Sequence, residues 1–188
     1  MIHLVLGGAR SGKSRFGEHC VRQLADDGIY LATALAGDDE MHKRIKRHQE
    51  DRANTGVKWQ LIEEHYNLSQ QLEQLSTCNK PVLVDCLTLW LSQCLVSNPN
   101  SVRESCHQLI ATLAGFQGQL ILISNEVGSG IVPLGELSRQ FVDEAGWLNQ
   151  AIAALANRVT LVVAGLPLSL KDEPVKLNSN TSLPKMGG

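Results

Sequence analysis

Apolar residues along the chain gather into short runs, Ile2 to Leu6, Ile29 to Thr33, Val82 to Asp85, Leu120 to Ser124 and Val159 to Ala164, rather than alternating with polar ones. Short runs of this kind, rich in Val, Ile and Leu, predict strands buried on both faces. Between them the apolar positions recur every three or four residues, the spacing of a helix with one covered face. Phe16, Cys20 and Leu24 make such a stripe after the first run, and Leu137, Phe141, Leu148, Ile152 and Leu155 mark a longer helix before the last one. Ser101 with Glu104 predicts a capping box opening a helix whose apolar face is Val102, Cys106, Leu109 and Leu113. A weaker strand signal, Lys58 to Ile62, would extend the sheet at its edge. From Leu170 onward the chain turns to Lys, Asp, Asn, Ser, Pro and Gly, the composition of a mobile tail.

Strands alternating with helices imply right-handed crossovers and a mainly parallel sheet covered on both sides, the doubly wound α/β architecture. Ligands of such sheets bind beyond the carboxyl ends of the strands. A length of 188 residues with 43% hydrophobic content suits one domain. The opening apolar run is too short for a signal-peptide core or a membrane span, so no transmembrane segment and a cytoplasmic location are expected. The cysteines, Cys20, Cys78, Cys86, Cys94 and Cys106, contain no CxxC pair and suggest neither a disulfide framework nor a zinc site. A net charge of -2 and an aromatic content of 4% argue against a nucleic-acid partner, which needs a basic surface interleaved with stacking rings.

The strongest chemical signal lies directly after the first strand. Gly7, Gly8, Ala9, Arg10, Ser11, Gly12, Lys13 and Ser14 match GxxxxGK[ST] and run into a helical pattern, the flanks that this phosphate-binding loop requires. Its glycines let backbone N–H groups approach phosphate oxygens, and the following helix directs its positive end at the same place. Lys13 would reach the outer phosphates, and the Ser14 hydroxyl would ligate Mg²⁺. Asp85, ending an apolar strand, occupies the position of a metal-orienting carboxylate, although an Asp there also suits a helix cap. Phosphate loops serve kinases, switches and motors alike. Ser124-Asn125-Glu126-Val127 lacks the lysine of a guanine-switch Asn-Lys-x-Asp reader.

A second segment, Asp38 to Arg52, reads as a charged helix in which Glu40, Arg44, His48 and Arg52 share one face. Two guanidinium groups flanking one imidazole disfavour its protonation and hold an anionic phosphate chain beside a neutral nucleophile. From spacing alone a solvated charged face is the better reading.

GGARSGKS from Gly7, Tyr30-Leu31-Ala32-Thr33-Ala34, Arg44-Ile45 with His48 and Arg52, Trp59 with Glu63, Val84-Asp85-Cys86-Leu87-Thr88, Ser124 to Gly128 with Ile131-Val132-Pro133, and Val163 to Pro167 together resemble the bifunctional adenosylcobinamide kinase and adenosylcobinamide-phosphate guanylyltransferase. The resemblance covers residues 1 to 171, leaving 172 to 188 as the tail. It implies a P-loop, RecA-like fold and two activities. In one, ATP or GTP phosphorylates adenosylcobinamide. In the other, His48 takes GMP from GTP as a covalent intermediate and passes it to adenosylcobinamide phosphate. By the same resemblance nucleotide contacts fall on Gly7 to Ser14, on Ala32, Thr33 and Ala34, on Gln49, Glu50, Asp51 and Arg52, and on Glu63 and Asp85. Glu63 would accept from guanine N–H groups, or else is an exposed strand-end glutamate without a ligand. Asn125 and Glu126 either touch substrate or metal or simply end a strand. The family's trimeric habit implies a homo-oligomer, for which the apolar stretch Leu87 to Val96 is either a contact or a buried helix.

Overall fold

The computed structural model describes residues 1–35, 37 and 56–172. Seven strands form one sheet: β1 (Ile2–Gly7), β2 (Asp27–Ala32), β3 (Lys58–Glu63), β4 (Val82–Asp85), β5 (Leu120–Asn125), β6 (Arg158–Val163) and β7 (Leu166–Asp172). Their order across the sheet is β3-β2-β4-β5-β1-β6-β7. All neighbours are parallel except β6 and β7, which form an antiparallel hairpin. The described helices are α1 (Lys13–Leu24), α2 (Leu68–Leu75), α3 (Leu87–Ser97), α4 (Val102–Gly115) and α5 (Glu136–Leu155).

The expected strands are all present, and Lys58–Glu63 does stand at the sheet edge, beside β2. Successive side chains of each central strand point to opposite faces, so Leu4 enters the core shared with α3, α4 and α5, while Val5 enters the core shared with α1. Both faces being dry, runs such as Leu120–Asn125 need no alternation of apolar and polar residues.

Several expectations require correction. The buried side of α1 is Gly17, Glu18 and Val21, whereas Phe16 and Cys20 lie only partly buried and Leu24 is exposed. The helix sits rotated because Gly17 has no side chain: a Cβ there would stand 2.6 Å from Ile123 Cδ1, so glycine is what lets the helix approach the sheet. No capping box forms at α4. Ser101 adopts a right-handed rather than an extended backbone, and its hydroxyl donates back to Asn98 O. Glu104 Oε1 instead accepts from Gln108 Nε2. Asp172, expected to open the tail, instead ends β7, where Arg158 Nε donates to its Oδ1 at 2.9 Å. The stretch Leu87 to Val96 lies within α3, with Leu87, Trp90, Leu91 and Leu95 sealed in the core.

Candidate functional site

The phosphate loop leaves β1 at Gly7 and enters α1 at Lys13. Gly7 is forced by crowding: a Cβ there would lie 2.6 Å from Val162 O and 2.4 Å from Ser11 Oγ. Arg10 and Gly12 take positive φ values of 57° and 96°, which turn the chain so that successive N–H groups can converge on one point. Gly12 caps α1 without a side-chain hydrogen bond, so the first-turn N–H groups remain available to an anion. Lys13 is buried and donates from Nζ to Gly8 O at 3.2 Å, which folds its side chain back over the loop.

The turn of the β6–β7 hairpin braces this loop from the other side. Ala164 and Gly165 have φ values of 53° and 80°, a two-residue turn, and Gly165 N donates to Ser11 O at 2.8 Å. A Cβ on Gly12 would come within 3.2 Å of Gly165 Cα, so the two glycines meet backbone to backbone.

Asp85 ends β4, and β5 lies between β4 and β1, so Asp85 stands two strands from the loop, on the order of 10 Å across the sheet. Tyr30 Oη donates to Asp85 Oδ2 at 2.7 Å, which orients the carboxylate. Beyond it a chain of polar contacts ties the strand ends together. Thr33 Oγ1 donates to Cys86 O at 2.7 Å and accepts from Cys86 N at 2.8 Å. Asn125 Nδ2 donates to Thr88 Oγ1 at 2.7 Å, and that hydroxyl also touches Cys86 Sγ at 3.2 Å. Burial raises the Cys86 thiol pKa and Asp85 raises it further, while Thr88 and, more weakly, Lys13 oppose. The buried thiol is therefore held in its neutral form.

Ala32 is paired with Glu63 on one side and Asp85 on the other, so these three form a row across the carboxyl edge. Thr33 is fully buried, and its main chain is also engaged: its N–H donates to Asp85 O, and its C=O accepts from Gln93 Nε2 at 2.8 Å. Its hydroxyl and main chain thus clamp β2 to β4. Glu63 is exposed on the edge strand, four strands from β1 and roughly 19 Å from the loop. Gly7 to Ser14, Ala32 to Ala34, Glu63 and Asp85 thus share one edge of the sheet. His48, Gln49, Glu50, Asp51 and Arg52 lie outside the described residues. The sequence marks Tyr30, Thr88 and Gly165 only as members of the runs Tyr30 to Ala34, Val84 to Thr88 and Val163 to Pro167, without a role, because each acts through a partner distant along the chain. The only cue to Gly165 is its place in the run Val163 to Pro167.

His3 and the three tryptophans make structural contacts. His3 Nε2 and Thr160 Oγ1 hydrogen-bond at 2.8 Å in the core. Trp90 is buried and donates from Nε1 to Tyr66 O, Trp59 packs edge-on against Tyr30, and Arg103 lies over the Trp147 ring at 4.4 Å.

A solved Pyrococcus horikoshii protein (PH0250) has the same general fold, with a TM-score of 0.52 at 10% identity over 91% of this chain and 86% of that one. Among curated proteins, the bifunctional adenosylcobalamin biosynthesis protein CobP of Pseudomonas aeruginosa is 49% identical, spanning 93% of this chain and all of that one. The bifunctional adenosylcobalamin biosynthesis protein CobU of Escherichia coli is 35% identical over 91% of this chain and all of that one. Residues 3–170 match the family described as cobinamide kinase / cobinamide phosphate guanyltransferase. With the loop, the braced lysine and the strand-end carboxylate all inside that span, the chain belongs to this family of bifunctional cobalamin-biosynthesis enzymes.

Proposed function

We propose that the protein phosphorylates adenosylcobinamide with ATP or GTP and then transfers GMP from GTP to the product through a GMP adduct on His48. The observation that carries the nucleotide half of this reading is the loop from Gly7 to Ser14, with Lys13 folded over it and α1 uncapped behind it. In the kinase step the loop N–H groups cradle the phosphate chain, and Lys13 neutralises charge on the outer phosphates as the bond to the leaving nucleoside diphosphate lengthens. Ser14 and Asp85 offer the oxygen donors that Mg²⁺ prefers, one at the start of α1 and one held by Tyr30. Such an ion, when bound, would offset the charge of the phosphate chain.

In the transfer step His48 attacks the α-phosphorus of GTP: a P–N bond forms, the bond to the bridging oxygen breaks, and pyrophosphate leaves with the electron pair. The phosphate of adenosylcobinamide phosphate then displaces the imidazole and takes the GMP. Arg44 and Arg52, four residues to either side in the sequence, would keep the imidazole neutral and the phosphates in place. Gln49, Glu50, Asp51, Arg52, Ala32, Ala34 and Glu63 are the proposed contacts to the nucleoside, with Glu63 reading guanine.

The proposed compartment is the cytoplasm. The five cysteines are all free, as a reducing environment keeps them, and no helix of the described residues is long and apolar enough to cross a membrane. The proposed assembly is a homotrimer, supported by exposed leucines on β7. The proposed catalytic unit is residues 1 to 171, extended by Asp172 at the end of β7; residues 173 to 188 lie outside the described residues.

Incubation with GTP labelled at the α-phosphate is the test. An acid-labile, base-stable adduct is expected on the wild-type protein and none on His48→Asn, which should nevertheless still phosphorylate cobinamide from ATP. An adduct that survives in His48→Asn would rule out this nucleophile.

A further inference from the structure

The carboxylates at the sheet's carboxyl edge are not equivalent. Asp85 Oδ2 already accepts from Tyr30. Glu63 stands at the far edge strand, and Glu64 Oε1 accepts the N–H groups of Tyr66 and Asn67. Glu126 alone among them adjoins the phosphate loop itself: Gly7 pairs with Asn125, and Glu126 N donates to Gly7 O at 3.1 Å. Because β5 separates β1 from β4, this residue follows a strand that ends between Lys13 and Asp85, the two groups expected to flank the outer phosphates.

The Glu126 side chain is held rather than free to wander. Oε1 accepts from Gly128 N at 2.7 Å and from Ser129 Oγ at 3.4 Å. Among the described residues no hydrogen bond engages Oε2. Glu126 also lines a cavity of about 470 Å³ on the α5 side of the sheet, together with Leu6, Asn149, Ala153, Leu170 and Lys171. That volume is too small for a corrin macrocycle but ample for an amide-linked aminopropanol arm. Asn149 donates from Nδ2 to Asn125 O, while its Oδ1 has no partner among the described residues.

We infer that Glu126 is the general base of the kinase step and that the cavity beside it receives the hydroxyl-bearing arm of the acceptor. This rests on the functional reading above and adds to it the residue that removes the hydroxyl proton. The Glu126 carboxylate takes the proton from the acceptor hydroxyl. The oxygen forms a bond to the γ-phosphorus, and the bond from that phosphorus to the β,γ-bridging oxygen breaks, its electron pair leaving with the nucleoside diphosphate. The second activity needs no such base, because its acceptor is a phosphate monoester already ionised at neutral pH.

That asymmetry supplies the test. Kinase turnover with adenosylcobinamide and guanylyl transfer to adenosylcobinamide phosphate are measured separately on the wild type, Glu126→Gln and Glu126→Asp. Gln preserves the acceptor oxygen for Gly128 and Ser129 but cannot take a proton. The expected result is a loss of kinase kcat of about 10²- to 10⁴-fold in Glu126→Gln, the range of general-base catalysis, with partial recovery in Glu126→Asp. Guanylyl transfer should fall far less, so that the ratio of the two activities shifts by about 10²-fold or more. Kinase turnover unchanged in Glu126→Gln, or a parallel fall in both activities, overturns the assignment. A wild-type protein that phosphorylates no cobinamide overturns the functional reading as well, so the two failures are distinct.

Discussion

At the scale of single residues, the site is built from groups whose partners decide what they do. Asp85 is oriented by a tyrosine from the neighbouring strand, Thr33 works as a clamp, and the buried Cys86 thiol stays neutral beside Thr88. His3 shows the same dependence on surroundings. Burial, reinforced by the charge of Arg158 and opposed by Asp172, lowers its pKa from 6.5 to about 4. The native state therefore resists protonating a ring that the unfolded chain protonates readily. Above pH 6.5 both states hold a neutral ring and the group is silent. As pH falls from about 6.5 to about 4, only the unfolded state gains the proton, and stability declines through that window. Urea midpoints measured across this range should fall for the wild type and fall less steeply for His3→Gln; identical slopes would mean that other groups set the acid response.

Among elements, the β6–β7 hairpin is the least expected contributor to the site. Its turn presses Gly165 against Gly12 and donates to Ser11 O, so an antiparallel appendage at one side of a parallel sheet fixes the shape of the phosphate loop. Gly165 holds φ at 80°, a conformation that costs a β-branched residue about 1–2 kcal/mol or more. Gly165→Val should therefore lower the unfolding free energy, read from urea titration, by about that amount and weaken nucleotide binding out of proportion to the stability lost. A variant with reduced stability but normal nucleotide affinity in a calorimetric titration would show that the loop keeps its shape without the brace. Pro167 is tolerated in β7 because an edge strand has one side without ladder bonds.

For the whole molecule, the surface has an apolar face that a monomer has little reason to keep. Leu166 and Leu168 project from the same side of β7 and are 73% and 57% exposed, and Ile131 and Leu134 are almost fully exposed. The proposed trimer is expected to cover some of this surface, whereas α3 turns its leucines inward. Replacing Leu166 and Leu168 together by Glu should lower the mass measured by light scattering toward that of one chain while leaving far-UV circular dichroism unchanged. An unaltered mass would place the contact elsewhere.

How much of this was legible in the chain depends on the range of the cause. The five central strands, the edge strand β3 and the phosphate loop follow from local order, since a dry two-faced strand needs an unbroken apolar run and a loop around phosphate needs glycine at fixed intervals. The family too is carried by ordered motifs. The rotation of α1, the failed cap at Ser101, the strand β7 and the bracing by Gly165 were not legible, because each rests on a contact with residues far along the sequence or on a side chain that is missing. Likewise the chain alone marks Asp85 and Glu126 merely as carboxylates after strands. Sheet order sets one two strands from the loop and the other beside it, and Tyr30 engages the first, because strand adjacency is settled by packing in three dimensions and leaves no trace in spacing.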